Sequence, residues 1–333
     1  MQTRDVSFTS DGITLAGHLR VPEHRGPHPA VVFTGPLSGV KEQVTGLYAE
    51  KIAAAGYVTL AFDHRNFGAS GGTPRQHEDA AGKLHDLRDA VTCLAAQPEV
   101  DPEQIGCCGI CLGGGYALRF AAFDPRVRAV AGIAGGYNSP AAMRDAMGTE
   151  QYRAHLAMFT ELAQRQEATG EVEYWAAVDA QDGRPVVMGG QEPADYYCSA
   201  RSASPGWVNQ LTALSVLELI TVDLATGADL ISPTPLLLVH GRKDNYTTPE
   251  QAAAAFDRAG EPRKLVWLDT TSHIDLYDVP RYVVPAVDEG SRGSTVICAR
   301  ADRWPGLQYL YSPRPEIRGS VGWRHDQQPC RSP

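Results

Sequence analysis

Apolar and polar positions follow two rhythms along the chain, and the rhythms alternate. Short apolar, β-rich runs fall at 30–34 (AVVFT), 57–62 (YVTLAF), 105–110 (IGCCGI), 127–133 (VRAVAGI), 236–240 (LLLVH) and 265–268 (LVWL). Runs so nearly continuous predict strands buried on both faces. Between them apolar residues recur at helical spacing. Over 41–55, Val44, Leu47, Tyr48, Ile52 and Ala55 share one face, and Gly56 follows as a helix stop. Over 77–96 the face is Leu84, Leu87, Val91, Leu94 and Ala95, and further helices are predicted over 113–123 and 249–259. Strands alternating with helices predict an α/β fold with a doubly wound, mostly parallel sheet.

The alternation stops between Gly136 and Thr234. The stretch 141–168 is helix-prone, and aromatic residues recur (Tyr152, Phe159, Trp175, Tyr196, Tyr197, Trp207 among them). This segment reads as a helical lid whose rings either face a site or fill the lid's own core. The expected organisation is therefore a core over 1–136 and 233–288, a lid over 137–232, and a tail over 289–333. The tail holds seven arginines, no lysine and no lasting periodicity, which predicts an irregular segment.

Composition narrows the function. With 333 residues, 43% hydrophobic and 21% charged, the chain suits one large globular domain with an insertion, or two domains. A net charge of −9 and the lack of any basic run argue against a nucleic-acid partner. The opening MQTRDVSFTSDGITLAG has no apolar core of a signal peptide. No stretch approaches the roughly 18–20 apolar residues of a membrane span. Seven scattered cysteines do not form a disulfide framework, so a reducing cytoplasm is the expected location.

One cysteine stands apart. Gly109-Ile110-Cys111-Leu112-Gly113 lies between a predicted strand and a predicted helix. A strand that turns abruptly into a helix exposes the middle side chain at the sheet's C-terminal edge, and glycines two positions away relieve the crowding. The thiol then sits at a helix N-terminus, which favours thiolate. The competing readings are an inert core cysteine and a redox or zinc C-x-x-C formed by Cys108 and Cys111. A second ligand pair for zinc is missing, and Cys108 falls inside the strand. Cys107 and Cys108 read as small buried hydrophobes.

A nucleophilic thiol needs a histidine, and the histidine an acid. In doubly wound hydrolases the order is nucleophile, acid, base, with each group just past a strand. Asp244 follows the 236–240 strand and His273 follows the 265–268 strand. Asp275 is the reserve acid. His64 is expected in a surface or hydrogen-bonded loop role and His240 in packing. One oxyanion donor is the N–H of Leu112. The other comes from the loop after 30–34, where Pro36 has no N–H, which selects Leu37. Lys41 and Glu42 read as capping, solvated residues. No phosphate-binding glycine loop and no metal-ligand cluster occurs, so no cofactor and no metal is expected.

With these residues in place, the chain resembles the α/β-hydrolase superfamily and its cysteine-bearing branch that includes dienelactone hydrolase. The stretches 39–43 (GVKEQ), 62–63, 68–72 (GASGG), 109–116 (GICLGGGY) and 272–278 (SHIDLYD) resemble a group often called the polyketide transferase family. That group contains thiohydrolases and acyltransferases acting on polyketide thioesters. The resemblance runs from about residue 3 to 287. It departs at Gly35, where many relatives carry histidine, and near the end, where relatives close with an amphipathic helix and here the pattern starts at Val283–Asp288 and then breaks.

The expected function is a cysteine-dependent acyl hydrolase or acyltransferase. It would act through acyl-Cys111 on a thioester, lactone or activated ester, in polyketide or other secondary metabolism. A dienelactone-type lactone or ester hydrolase and a non-catalytic ligand-binding homologue are the alternatives. The partner is a small acyl substrate, free or bound to a carrier protein or coenzyme A. A homodimer is compatible with this reading.

Overall fold

The computed structural model describes residues 1–23 and 26–291. Its frame is an eight-stranded sheet in the order β1-β2-β4-β3-β5-β6-β10-β11. These strands are β1 (Gln2–Ser10), β2 (Ile13–Val21), β3 (His28–Thr34), β4 (Val58–Phe62), β5 (Val100–Ile110), β6 (Val127–Ile133), β10 (Leu236–Gly241) and β11 (Arg263–Leu268). β2 pairs antiparallel with both β1 and β4, and every other pairing is parallel. The central strands are mostly buried, β5 from Ile105 onward, with Phe33, Leu60, Ile105, Val130 and Leu238 at the core. Each such side chain contributes about 1.5–3 kcal/mol by leaving water.

Helices α1 (Val44–Ala54), α2 (Ala80–Ala95), α3 (Leu112–Ala121), α9 (Pro249–Arg258) and α11 (Pro280–Ser291) cover the sheet. α2 begins at Asp79, whose carboxylate accepts the Gly82 N–H at 2.8 Å. α1 starts at Val44, not at Lys41, because the chain over 41–43 is held by a different contact described below.

Two elements differ from the sequence expectation. The β1–β2 hairpin was absent from it. Its signal is the Asp11-Gly12 turn, with both residues at positive φ (47° and 80°), between alternating residues such as Val6, Phe8, Ile13 and Leu15. The break expected after Asp288 does not occur there. α11 runs through the internal Pro285 to Ser291 and buries Tyr282, Val283 and Ala286, with the Tyr57 hydroxyl on the Ser291 carbonyl at 3.3 Å. The rest of the predicted tail, 292–333, lies outside the described residues.

The segment between β6 and β10 holds α4 (Pro140–Met147), α5 (Thr149–Thr169), β7 (Tyr174–Val178), β8 (Val186–Met188), α6 (Gln191–Tyr197), β9 (Leu211–Thr212), α7 (Ser215–Thr221) and α8 (Thr226–Leu230). Its three short strands form a sheet in the order β8-β7-β9. Phe159, Leu162, Ala213 and Ile220 make a small separate core. α8 packs back against α3, where the Cα of Gly227 comes so near Arg119 that a methyl group would lie 2.8 Å from its backbone.

Candidate active site

Cys111 stands between the last residue of β5 and the first of α3, with φ 56° and ψ −129°. For a side chain bearing a Cβ this is a strained conformation, held by what surrounds it. Its N–H bonds the Ile133 carbonyl at 3.0 Å, and its carbonyl accepts from Gly114 and Gly136 at 2.8 Å each. The flanking glycines have a measurable reason. A Cβ at 109 would lie 2.0 Å from the Gly113 carbonyl oxygen, and one at 113 would lie 2.3 Å from that of Thr34.

Asp244 and His273 come to the same place from the loops after β10 and β11. His273 Nδ1 is 2.6 Å from Asp244 Oδ2. The other carboxylate oxygen accepts the N–H groups of Tyr246 and Thr247 at 2.9 Å each. Thr247 Oγ1 lies 2.9 Å from Asp244 Oδ2, 2.9 Å from the Ala134 carbonyl and 3.2 Å from His273 Nδ1. All three side chains are buried: Cys111 is 7% exposed, Asp244 6% and His273 3%.

The Cys111 sulfur interacts electrostatically with the His273 imidazole, the Tyr277 hydroxyl and the Leu112 N–H. Burial pushes this thiol up. The charge of His273 and these polar interactions outweigh it, so its pKa falls below the usual thiol value. His273 moves the other way, to about 10: burial works against the imidazolium, and Cys111 and Asp244 more than compensate. Asp244 is lowered, because His273 and the two loop amides outweigh its burial. The arrangement favours a thiolate facing an imidazolium. Cys108 behaves oppositely, with burial raising its thiol to about 12.

Cys111, Leu37 and Leu112 line a cavity of about 350 Å³ together with Trp175, Met188 and Tyr246. No Asp, Glu, Lys or Arg side chain lines it. The Leu37 loop is braced from two sides. Lys41 is 6% exposed rather than solvated: its N–H and Nζ reach the two oxygens of buried Asp63 at 2.7 and 2.8 Å, and Nζ also meets Glu42 at 2.7 Å. From the lid, Trp207 Nε1 donates to Ser38 Oγ at 3.3 Å.

The other candidates fall elsewhere. Asp275 Oδ2 takes the Thr271 and Ser272 N–H groups at 2.6 and 3.3 Å and so caps the turn. His64 is buried between Thr34 Oγ1 (2.9 Å) and Asp86 (3.2 Å). His240 is packed at 1% exposure, and its Nε2 donates to the Thr247 carbonyl at 2.6 Å, which fixes the Asp244 turn. Among the described residues no cluster of three or more His, Cys, Asp or Glu side chains is placed to hold a metal ion. Also among them, no helix is long and apolar enough to cross a membrane. Sequence reasoning missed Tyr277 and Thr247. For Tyr277 the available signal was its position four residues after His273, one helical turn away.

A strand–Cys111–helix turn on a mostly parallel sheet, with Asp244 and His273 delivered by the next strand ends, is the arrangement of the α/β-hydrolase fold. Residues 15–158 match the dienelactone hydrolase family. Uncharacterized protein PA2218 of Pseudomonas aeruginosa is 35% identical over 305 residues, spanning 84% of this chain and 76% of its own. Its crystal structure matches with a TM-score of 0.76 at 33% identity, over 86% of this chain and 93% of that one. Polyketide transferase ATR5 of Stachybotrys chlorohalonatus is 31% identical over 289 residues, 83% of this chain and 91% of its own. The α/β hydrolase GrgF of Penicillium sp. sh18 matches with a TM-score of 0.70 at 27% identity, over 86% and 98% of the two chains. The chain has the α/β-hydrolase fold and belongs to the same family as PA2218 and polyketide transferase ATR5.

Proposed function

We propose that the protein is an acyl hydrolase or acyltransferase that works through an acyl-Cys111 intermediate. Its substrate is a thioester, lactone or activated ester, free or carried by a protein or coenzyme A, and its setting is polyketide or other secondary metabolism. The observation that carries this reading is the buried Cys111–His273–Asp244 grouping, with Cys111 in the wall of a cavity that no Asp, Glu, Lys or Arg side chain lines. Relatives named polyketide transferase, thiohydrolase and acyltransferase support the substrate class.

In the first half-reaction the Cys111 thiolate attacks the acyl carbonyl, and the N–H groups of Leu37 and Leu112 receive the developing oxyanion. His273 gives its proton to the leaving thiolate or alkoxide, leaving acyl-Cys111. In the second, His273 takes a proton from water or from an acceptor alcohol or amine, which attacks the thioester and expels the Cys111 thiolate, restoring the thiolate–imidazolium pair. Cysteine suits this cycle. Thioester exchange onto a thiol is near energy-neutral, whereas expelling an alkoxide ahead of the thiolate is uphill, so simple alkyl esters are poor substrates. An acyl group carrying a carboxylate finds no cationic side chain in the cavity wall, so a neutral acyl group of modest size fits best.

Intact-protein mass spectrometry after incubation with acyl thioesters and lactones tests the reading. The expected result is a single acyl mass on the wild type and none on Cys111→Ala. Undiminished turnover by Cys111→Ala overturns it.

A further inference from the structure

Tyr277 is 2% exposed, so its hydroxyl must find its partners inside the protein. Its oxygen lies 3.2 Å from His273 Nε2 and interacts electrostatically with the Cys111 sulfur. The ring is held edge-on by His273 (5.1 Å between centroids) and by Tyr196 of the lid (5.1 Å).

Other polar groups around this spot are engaged elsewhere. Asp244 faces Nδ1 and the loop amides, on the far side of the imidazole. His240 donates to Thr247, and the Tyr246 hydroxyl to the Gly189 carbonyl at 2.7 Å. The Tyr48 hydroxyl from α1 bonds the Leu276 carbonyl at 2.8 Å. On the lid side, Glu192 accepts the Ile274 N–H at 2.5 Å, and Arg201 is paired with Asp278. Asp275 caps its own turn. Tyr197 of α6 is also buried, and its hydroxyl interacts with Tyr277 and feels the Cys111 charge, which makes it the rival hydroxyl among these groups.

We infer that the Tyr277 hydroxyl is a switchable donor that holds the Cys111 sulfur as thiolate while His273 carries the proton. When the pair is neutral, the Nε2 lone pair competes for the phenol proton and the sulfur receives little from it. Once the thiol proton has moved to Nε2, that nitrogen is a donor and the phenol O–H turns to the sulfur anion. The hydroxyl therefore stabilises the charge-separated state over the neutral one and keeps its own proton throughout. When an acyl group occupies the sulfur, the anion is gone and the phenol is free to bond the group poised at Nε2. This deepens the acyl-cysteine reading and rests on it for its effect on turnover. The thiolate itself is measured without any acyl substrate.

The test is the pH dependence of Cys111 alkylation by iodoacetamide, followed by peptide mass spectrometry on the full chain. In Tyr277→Phe, which keeps the ring and its packing, the midpoint moves up by about one pH unit, so labelling below it slows about tenfold. Tyr197→Phe leaves the midpoint in place. Site-specific 3-fluorotyrosine at 277, a more acidic phenol that keeps ring and hydroxyl, moves it down and serves if the Phe variant does not fold. An unmoved midpoint in folded Tyr277→Phe, an unmoved or raised one with 3-fluorotyrosine, or equal shifts in Tyr197→Phe and Tyr277→Phe overturns the inference. A wild-type Cys111 with an ordinary midpoint, labelling like Cys198, would instead overturn the thiolate reading of the whole site.

Discussion

The His240 imidazole donates to the Thr247 carbonyl at 2.6 Å, and through that bond it sets the turn on which Asp244 stands. The acid is thereby fixed by a side chain that never meets the histidine it serves. His240→Phe, which fills the space without the N–H, should slow turnover several-fold while leaving substrate KM nearly unchanged. Steady-state kinetics on an acyl thioester read the split.

Asp244→Asn keeps the shape and removes the charge that fixes His273. The expected loss in kcat is roughly 10³–10⁴-fold, as for a dyad left without its orienting carboxylate. Because the imidazolium also loses its partner, the midpoint for Cys111 alkylation should rise in the same variant.

The pH profile follows from the directions of the shifts. Cys111 is lowered below the usual thiol value and His273 raised to about 10, so thiolate and imidazolium coexist between the two. kcat/KM should rise on an acid limb well below pH 9 and fall near pH 10. For stability, a histidine raised in the folded state contributes fully below its unfolded value near 6.5, and the contribution fades as pH climbs through about 10. Urea midpoints measured from pH 6.5 to 10.5 should therefore fall less in His273→Gln than in the wild type.

Lys41 and Asp63 form an ion pair whose acid is fully buried. Burial opposes the lysine charge, and its bonds to Asp63 and Glu42 outweigh that, leaving its pKa raised. Lys41→Met leaves Asp63 without its cation and should cost about 3–5 kcal/mol in urea unfolding. The raised lysine contributes fully below about pH 10.5, and the contribution is lost as pH rises through its folded value.

Gly113→Ala should be far more damaging than Gly189→Ala. A methyl at 113 meets the Thr34 and Gly35 carbonyl oxygens at 2.3 and 2.6 Å, whereas one at 189 meets nothing within 4 Å. The first should lower stability by at least about 1–3 kcal/mol, and the second should stay within roughly 0.5 kcal/mol of the wild type. Thermal unfolding of both variants checks the contrast.

Legibility tracked burial. β3, β5, β6 and β10 are covered on both faces, so their apolar runs are continuous and readable. β1 faces water along much of its length, and its polar residues hid the alternation around Val6 and Phe8. Cys111, Asp244 and His273 could be named because each follows a readable strand. The Lys41–Asp63 pair joins residues that neither periodicity nor a motif links, so the sequence suggested only a solvated lysine. α11 was obscured at Pro285, which interrupts the period while the neighbouring Tyr282, Val283 and Ala286 still pack.

Helix α6 sets Glu192 and two tyrosine rings against the turn bearing His273, and the loop beyond it hangs Trp207 on Ser38. Roof and floor are thus tied together at these contacts. Under the proposed acyl-cysteine cycle, variation in the roof that reshapes the cavity also moves the groups assigned to proton transfer and oxyanion capture. A descendant enzyme acquiring a new acyl preference would have to retune its rate in the same step.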